Sequence, residues 1–375
     1  MNILFVESSI PPYRGGVQRV SWVLRNFFLK HDYDVFFAYY LKDSAEVENT
    51  HKLKYDSEGK AKDLYPIFKS FIKLNHIDVL ILQGHCGKQL LHALSMIKEK
   101  SDIKIIGCFH LSPDYQDYTK SSLLSKVKEL IKKVLLRPQY KEYLHFYNVV
   151  DKFILLSTSF IEEMCVRFKF PDKKKIACIP NPLSFEREMD QNDLIKKHKI
   201  VLIVARLEET QKNIMSALRI WKKAEDNVTS NDWTLVLGGY GPDENKILTY
   251  ADSLNLNNFK FIGKVDDAQV LFQSASIFMM TSRYEGFGMT LTEALQNGCV
   301  PIAFDNFTVL HDILDDGMNG IIIPSGDEEC YAQKLLSLMN NNSERKAMAI
   351  RGIESCKKFS IDTVGEKWIN LFKTL

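Results

Sequence analysis

The sequence lacks the features that would place it in several large protein classes. Charge of one sign is missing: 49 Lys and Arg against 47 Asp and Glu leave a net charge of +2. Bulk electrostatics therefore argue for no nucleic-acid partner. No apolar run approaches the roughly 20 residues that a membrane-spanning helix needs. The seven cysteines are odd in number, scattered and without a Cys-x-x-Cys pair. They suit reduced thiols in a cytoplasm better than disulfides or zinc. The amino-terminal MNILFVESS has no basic lead and runs straight into an apolar strand, unlike a signal peptide. No Gly-x-Gly-x-x-Gly follows that strand, which argues against an ordinary dinucleotide dehydrogenase. No Asp-x-Asp pair stands at an obvious strand end, and no short-period repeat is evident. What remains is an ordinary globular composition, 45% hydrophobic and 26% charged over 375 residues, with room for two domains that each bury a core.

What is present alternates. Short apolar runs at residues 3–7, 34–40, 77–83, 103–109 and 153–156 read as buried strands, with amphipathic helical patterns at 17–30, 64–74 and 88–97 between them. Strands alternating with helices imply a mostly parallel sheet covered on both faces. In such sheets, ligands bind beyond the carboxyl ends of the strands. Gly15-Gly16 lie between the first strand and its helix, where a helix N-terminus favours an anion; a mere tight turn is an equal reading of the residues alone. His110 follows the 103–109 strand directly. Isoleucine, prolines and Asn181 at 179–182 make a rigid connector, and a polar stretch to residue 199 reads as an interdomain linker,. The alternation then restarts with a strand at 200–204.

Between residues 120 and 141 the texture changes. Val127, Leu130, Ile131, Val134 and Leu135 form a helical stripe, flanked by Lys120, Lys126, Lys128, Lys132, Lys133, Arg137 and Lys141 against the single acid Glu129. Packing on its own domain is the favoured reading, and peripheral contact with an anionic membrane surface the other.

The chemistry concentrates in the second half. The stretch MTSRYEGFGMTLTEALQNGCVP, residues 280–301, reads as strand, small-residue turn, helix and strand. Gly286 and Gly288 strip side chains from the turn, so a ligand can approach the backbone. The helix start at Met289-Thr290 offers unpaired N–H groups to a phosphate. Glu285 can accept hydrogen bonds from sugar hydroxyls, and Glu293 from a ribose diol; taken alone, the stretch reads better as a strand-turn-helix unit whose Glu293 is an early-helix carboxylate favoured by the dipole. The strand at 200–204 ends in Ala205-Arg206-Leu207, with Lys212 just before the next helical pattern. A forked guanidinium and a compact ammonium together can make a diphosphate clamp, although two loop cations read alone are usually just solvated charges. Leu237-Gly238-Gly239-Tyr240-Gly241-Pro242 is a strand running into a glycine-rich turn.

Glu285-x7-Glu293 with Gly286-Phe287-Gly288 between, together with Arg206, Lys212 and the Gly239-x-Gly241-Pro242 loop, resembles the retaining glycosyltransferases of family 4. That resemblance implies the GT-B fold, α/β with two Rossmann-like doubly wound parallel-sheet domains facing across a cleft. Residues 1–184 would form the acceptor-side domain, onto which a helix at 359–375 crosses back as tether and hinge. Residues 185–358 would bind the nucleotide-sugar. The resemblance assigns catalytic roles to His110, Glu285, Arg206 and Lys212. It assigns donor contacts to Gly15, Gly16, Arg206, Lys212, Gly239, Glu285, Gly286, Phe287, Gly288, Met289, Thr290 and Glu293. It implies anomer-retaining transfer from a nucleotide-sugar, a UDP-sugar by family frequency, to a glycan or lipid-linked glycan in surface polysaccharide assembly. No metal or other cofactor would be required, and the enzyme would work in the cytoplasm or at the inner face of the cell membrane. Two departures stand out: Ala205 where the family usually has Gly, and Asp305-Asn306-Phe307 where many relatives have glycine. A GT-B sugar-nucleotide epimerase, and a catalytically idle nucleotide-binding scaffold, remain alternatives.

Overall fold

The computed structural model describes all residues except 9–14, 41–50, 58, 85–86, 112–137, 187–188 and 228–231. Two compact units are distinguished by their internal contacts. One carries the amino-terminal sheet and includes Ile361–Leu375; the other holds Phe185–Ser360.

In the first unit, seven strands pair in the order β3-β2-β1-β4-β5-β6-β7. These are β1 (Asn2–Glu7), β2 (Asp34–Tyr39), β3 (His51–Lys54), β4 (Val79–Gln83), β5 (Lys104–Phe109), β6 (Lys152–Leu155) and β7 (Ile176–Cys178). Every neighbouring pair is parallel. β1, β4 and β5 sit mid-sheet and are apolar along nearly their whole length because both faces are covered,. Helices α1 (Gly16–Lys30), α2 (Ala61–Leu74), α3 (Lys88–Lys98), α4 (Pro138–Val149) and α5 (Ile161–Phe168) supply the cover. Strand order reverses between β1 and β4, which makes the carboxyl ends of these strands the expected ligand side. The basic segment between residues 120 and 141 lies outside the described residues up to 137. Among the described residues, no helix is long and apolar enough to cross a membrane.

The second unit repeats the plan with six parallel strands in the order β10-β9-β8-β11-β12-β13. They are β8 (His198–Val204), β9 (Thr234–Gly238), β10 (Phe259–Phe261), β11 (Ala275–Met280), β12 (Val300–Phe304) and β13 (Ile321–Ile323). The reversal here falls between β8 and β11. Its helices are α6 (Glu209–Lys212), α7 (Ile214–Glu225), α8 (Glu244–Ser253), α9 (Ala268–Ser274), α10 (Met289–Gln296), α11 (Leu310–Ile313), α12 (Glu328–Asn340) and α13 (Asn342–Cys356). Trp221, Trp233 and Tyr331 are fully buried in its core.

The last helix, α14 (Ile361–Phe372), packs on α1 within the first unit. Gly365 permits the approach: a Cβ there would stand 2.3 Å from the Phe27 ring. Phe372 lies 5.4 Å from Phe28, ring to ring.

Two departures from the sequence pattern have physical causes. The polar stretch after Pro182 is not a free linker. Met189 and Leu194 join the core of the second unit, Gln296 Nε2 donates to Phe185 O at 2.6 Å, and Lys197 Nζ donates to Phe272 O at 2.6 Å. Burial pulls the Lys197 ammonium down to about 8,. Edge strands β3, β7 and β13 escape the pattern because they are short and belong to sheet margins, where alternation is weak,.

Candidate functional site

The candidate site of the second unit is built from the loops at the carboxyl ends of β8, β9 and β11. β8 delivers Ala205 and Arg206 into a turn that is pinned against the loop after β9. Ala205 N donates to Gly238 O at 3.1 Å and Leu207 N to Tyr240 O at 2.9 Å. The glycines of that loop are steric requirements. A Cβ on Gly239, whose φ is +149°, would stand 1.9 Å from Ala205 O, and one on Gly241 would stand 2.4 Å from Leu207 O. Asp243 closes the other side, accepting from Glu209 N at 2.8 Å.

α6 then carries Gln211 and Lys212 toward the turn after β11. Lys212 Nζ meets Glu285 Oε1 at 2.5 Å, with the two side chains only 18% and 9% exposed. Gln211 Nε2 donates to Tyr284 O at 3.3 Å and reaches Glu285 Oε2 at 3.5 Å, while its Oε1 accepts from Arg206 at 3.4 Å. Arg206 also pairs with Glu208 and stays 60% exposed. Arg206, Gln211, Glu285 and Lys212 thus form one connected polar group. A left-handed Asn213 (φ +52°) ends α6 and starts α7, and Thr281 Oγ1 holds this corner by donating to Lys212 O (3.1 Å) and Asn213 O (3.0 Å). Arg283 braces it from the same loop, bonding Asn213 and the Glu209 carbonyl through its guanidinium. Arg283 N also donates to Gln211 O at 2.8 Å.

After Glu285, the turn passes Gly286, buries Phe287 against Phe359 and reaches Gly288 at φ +86°. That left-handed residue opens α10 at Met289, and only Gly adopts it without cost. Gly286, Met289 and Thr290 are partly exposed among buried neighbours, so this helix start is open to a ligand. Glu293 lies on the inner side of α10, 5% exposed. Asn306 in the loop after β12 donates to Ser282 O at 2.8 Å; the departure from glycine here ties that loop to the turn.

The residues expected to share the donor in this half, Arg206, Lys212, Gly239, Glu285, the 286–290 turn and Glu293, all belong to the second unit. Lys212 and Glu285, expected to hold different parts of a donor, are paired with each other. Gln211, Arg283, Thr281 and Asn213 went unnoticed in the sequence; Gln211 and Arg283 adjoin the motif residues, which was their only signal.

Gly15, Gly16 and His110 belong to the first unit. Gly15 precedes α1 with an extended backbone (φ 163°), so its conformation does not demand glycine. His110 follows β5, and its Nε2 lies 2.5 Å from Gln83 Oε1. Burial depresses the ring to about 4,.

Residues 184–355 match the family Glycosyl transferases group 1. Across 94% of this chain and 95% of its own length, an amylovoran biosynthesis glycosyltransferase, AmsD of Erwinia amylovora, is 25% identical. A Campylobacter jejuni α-1,4-N-acetyl-D-galactosaminyltransferase, named for an undecaprenol-diphosphate-linked substrate, is 25% identical over 53% of this chain. The match spans 54% of that relative's length, and only 34% of a Bacillus subtilis poly(glycerol-phosphate) α-glucosyltransferase that is 27% identical over 63% of this chain. Among solved structures, S. aureus TarM, a mutant bound to UDP, superposes at a TM-score of 0.77 with 14% identity, covering 99% of both chains. The lipopolysaccharide outer core galactosyltransferase WaaB superposes at 0.73 with 18% identity over all of both. The two parallel-sheet α/β units are the Rossmann-like pair of the GT-B fold.

Proposed function

We propose that this chain, which carries a Glycosyl transferases group 1 domain over residues 184–355, transfers a sugar with retention from a nucleotide-sugar to a glycan or lipid-linked glycan acceptor. The observation that carries this reading is the connected group of Arg206, Gln211, Lys212 and Glu285 at the carboxyl ends of β8 and β11. It sets two cations and an exposed helix start where a doubly wound sheet takes ligands.

When the glycosidic bond to the donor breaks, its electron pair moves onto the departing phosphate. Arg206, with five donors in a fork and 60% of its side chain in solvent, stabilises that charge, and Lys212 adds an ammonium already fixed by Glu285. The N–H groups at Met289 and Thr290 add the helix dipole. The remaining acceptor capacity of Glu285 orients sugar hydroxyls, and His110 is assigned to the sugar as well. No covalent enzyme nucleophile is invoked: the acceptor oxygen forms the new bond on the same face, and its proton passes to the phosphate oxygen. The cations do what a divalent metal does elsewhere, so full turnover should persist in excess chelator, and its abolition would refute that part.

UDP is the proposed nucleotide, supported by the UDP bound to the TarM mutant. A thermal-shift panel of UDP, GDP, ADP and their sugar conjugates tests the reading. A ligand bound only by the folded state adds about 2.7 kcal/mol at a hundredfold excess over Kd, a rise of a few degrees for a protein of this size. A uridine-selective rise is expected. Melting points unmoved by every nucleotide would overturn the proposal.

A further inference from the structure

The first unit carries a row of buried polar groups of which the transfer chemistry above uses His110 alone. Val6 pairs with Leu82 across β1 and β4, so Glu7 stands beside Gln83, which pairs with Cys108 on β5. His110 follows two residues later. Glu7 is 3% exposed, and neither of its carboxyl oxygens has a hydrogen-bond partner; Gln83 Nε2 and His110 Nδ1 are likewise buried and unpaired among the described residues. Buried polar groups are nearly always paired, and each exception costs about 1–3 kcal/mol. A row of four such atoms at the ligand end of a sheet is an assembly waiting for partners.

The direction of each bond follows from its neighbour. Ser21 on α1 gives its hydroxyl hydrogen to Val17 O at 3.3 Å, which leaves only lone pairs on Ser21 Oγ. Burial, the larger influence, holds the Glu7 carboxyl proton well above the usual carboxylate range, with the neighbouring Ser21 hydroxyl pulling the other way,; with the Ser21 hydrogen on Val17 O, the Ser21 lone pairs are the acceptor that proton needs. The Glu7 carbonyl oxygen is then an acceptor for Gln83 Nε2–H. Gln83 Oε1, which only accepts, faces His110 Nε2 at 2.5 Å and requires a hydrogen there. The ring that results bears an unprotonated Nδ1.

We propose that Glu7 and Gln83 are positioning residues, forming with Ser21 a one-way hydrogen-bond chain that locks His110 in its Nε2–H tautomer and leaves Nδ1 as an acceptor for a hydroxyl. The two open links, Ser21 to Glu7 and Glu7 to Gln83, close by a side-chain rotation or one water. Placing a sugar hydroxyl on Nδ1 rests on the glycosyl-transfer reading; the tautomer chain does not.

Nuclear magnetic resonance of the full chain with 15N-labelled histidine tests it, with His110 assigned by its loss in His110→Gln. The wild type should show an Nε2–H proton shifted downfield and protected from solvent exchange, with Nδ1 unprotonated. Gln83→Leu should abolish that proton signal. Glu7→Leu should do the same. Glu7→Gln, whose amide can still donate to Ser21 and accept from Gln83, should restore the signal; Glu7→Met stands in should the leucine variant fail to fold. A wild-type ring protonated on Nδ1, or a proton signal unchanged by both Glu7→Leu and Glu7→Met, would overturn the chain. Adding UDP-glucose separates the hydroxyl sources: a moved Nδ1 resonance identifies a sugar hydroxyl, a fixed one a resident water. Tautomer control without transfer to any acceptor would sink the transferase reading and leave this one standing.

Discussion

The carboxyl ends of the two sheets solve the same problem in opposite ways. Around Lys212 in the second unit, each charged group already has its counterpart: Lys212 with Glu285, Arg206 with Glu208, Arg283 with Asn213 and Glu209. Around His110 in the first unit, buried polar atoms have no partner among the described residues. A site that must meet a highly charged ligand keeps its cations fixed beforehand, so little reorganisation is needed as charge develops. A site that must meet a neutral hydroxyl can leave a lone pair open, because an unsatisfied neutral nitrogen costs far less than an unpaired charge.

The contrast is broken most severely at the cations. Lys212→Ala and Arg206→Ala should each lower turnover by about 10²–10³, the loss expected for one preorganised donor. Their stabilities should diverge. Removing Lys212 strands a nearly buried Glu285, at a cost of about 3–5 kcal/mol. Removing the exposed Arg206 should cost no more than about 1 kcal/mol. Urea unfolding of the two variants beside their steady-state rates checks this; equal stabilities would mean that the Lys212–Glu285 pair is not the fixed element of the site.

Gly239→Ala comes next. Its Cβ would press on a backbone carbonyl, not on a side chain that can turn away, and φ is positive. A loss of more than about 1–3 kcal/mol is expected, read as a lower melting point with the β8 and β9 loops deprotected in hydrogen exchange. An unperturbed melt would show that the two loops are not locked together.

The smallest effect sharpens the first-unit half of the comparison. With His110 held down at about 4 against an ordinary 6.5, the unfolded chain binds a proton between those values that the folded chain refuses. Stability should therefore fall on acidification across that window, by at most about 3 kcal/mol from this group. His110→Gln should flatten that part of the stability profile; an identical acid limb in the variant would show that the ring is not shielded.

Both sheets were legible as alternation, because central parallel strands such as β1, β5 and β11 are apolar along most of their length and read clearly. The edge strand β7, only partly buried along its length, was not. Within the site, Arg206, Lys212, Glu285, Glu293 and the glycines were visible, since Gly239 and Gly288 hold a positive φ that other residues adopt only at a cost,. The bonds among them were not. Nothing in the spacing of Lys212 and Glu285, 73 residues apart, says that they touch, and the bracing by Thr281, Gln211 and Arg283 depends on loop geometry that sequence periodicity does not encode. Glu7 was read simply as the end of a strand, because one acid at a strand terminus carries no signal until its neighbours across the sheet are known.

The return of α14 to α1 sets a timetable for biosynthesis. Phe27 and Phe28 find part of their cover only on residues 361–372, so the first unit, though translated first, stays incomplete while the whole second unit is made. At about 5–20 residues per second, the roughly 180 intervening residues leave that apolar face open for about 10–35 s. During that interval the nascent chain must rely on a chaperone or on its own collapse, and a fragment ending near residue 184 would carry the same open face permanently.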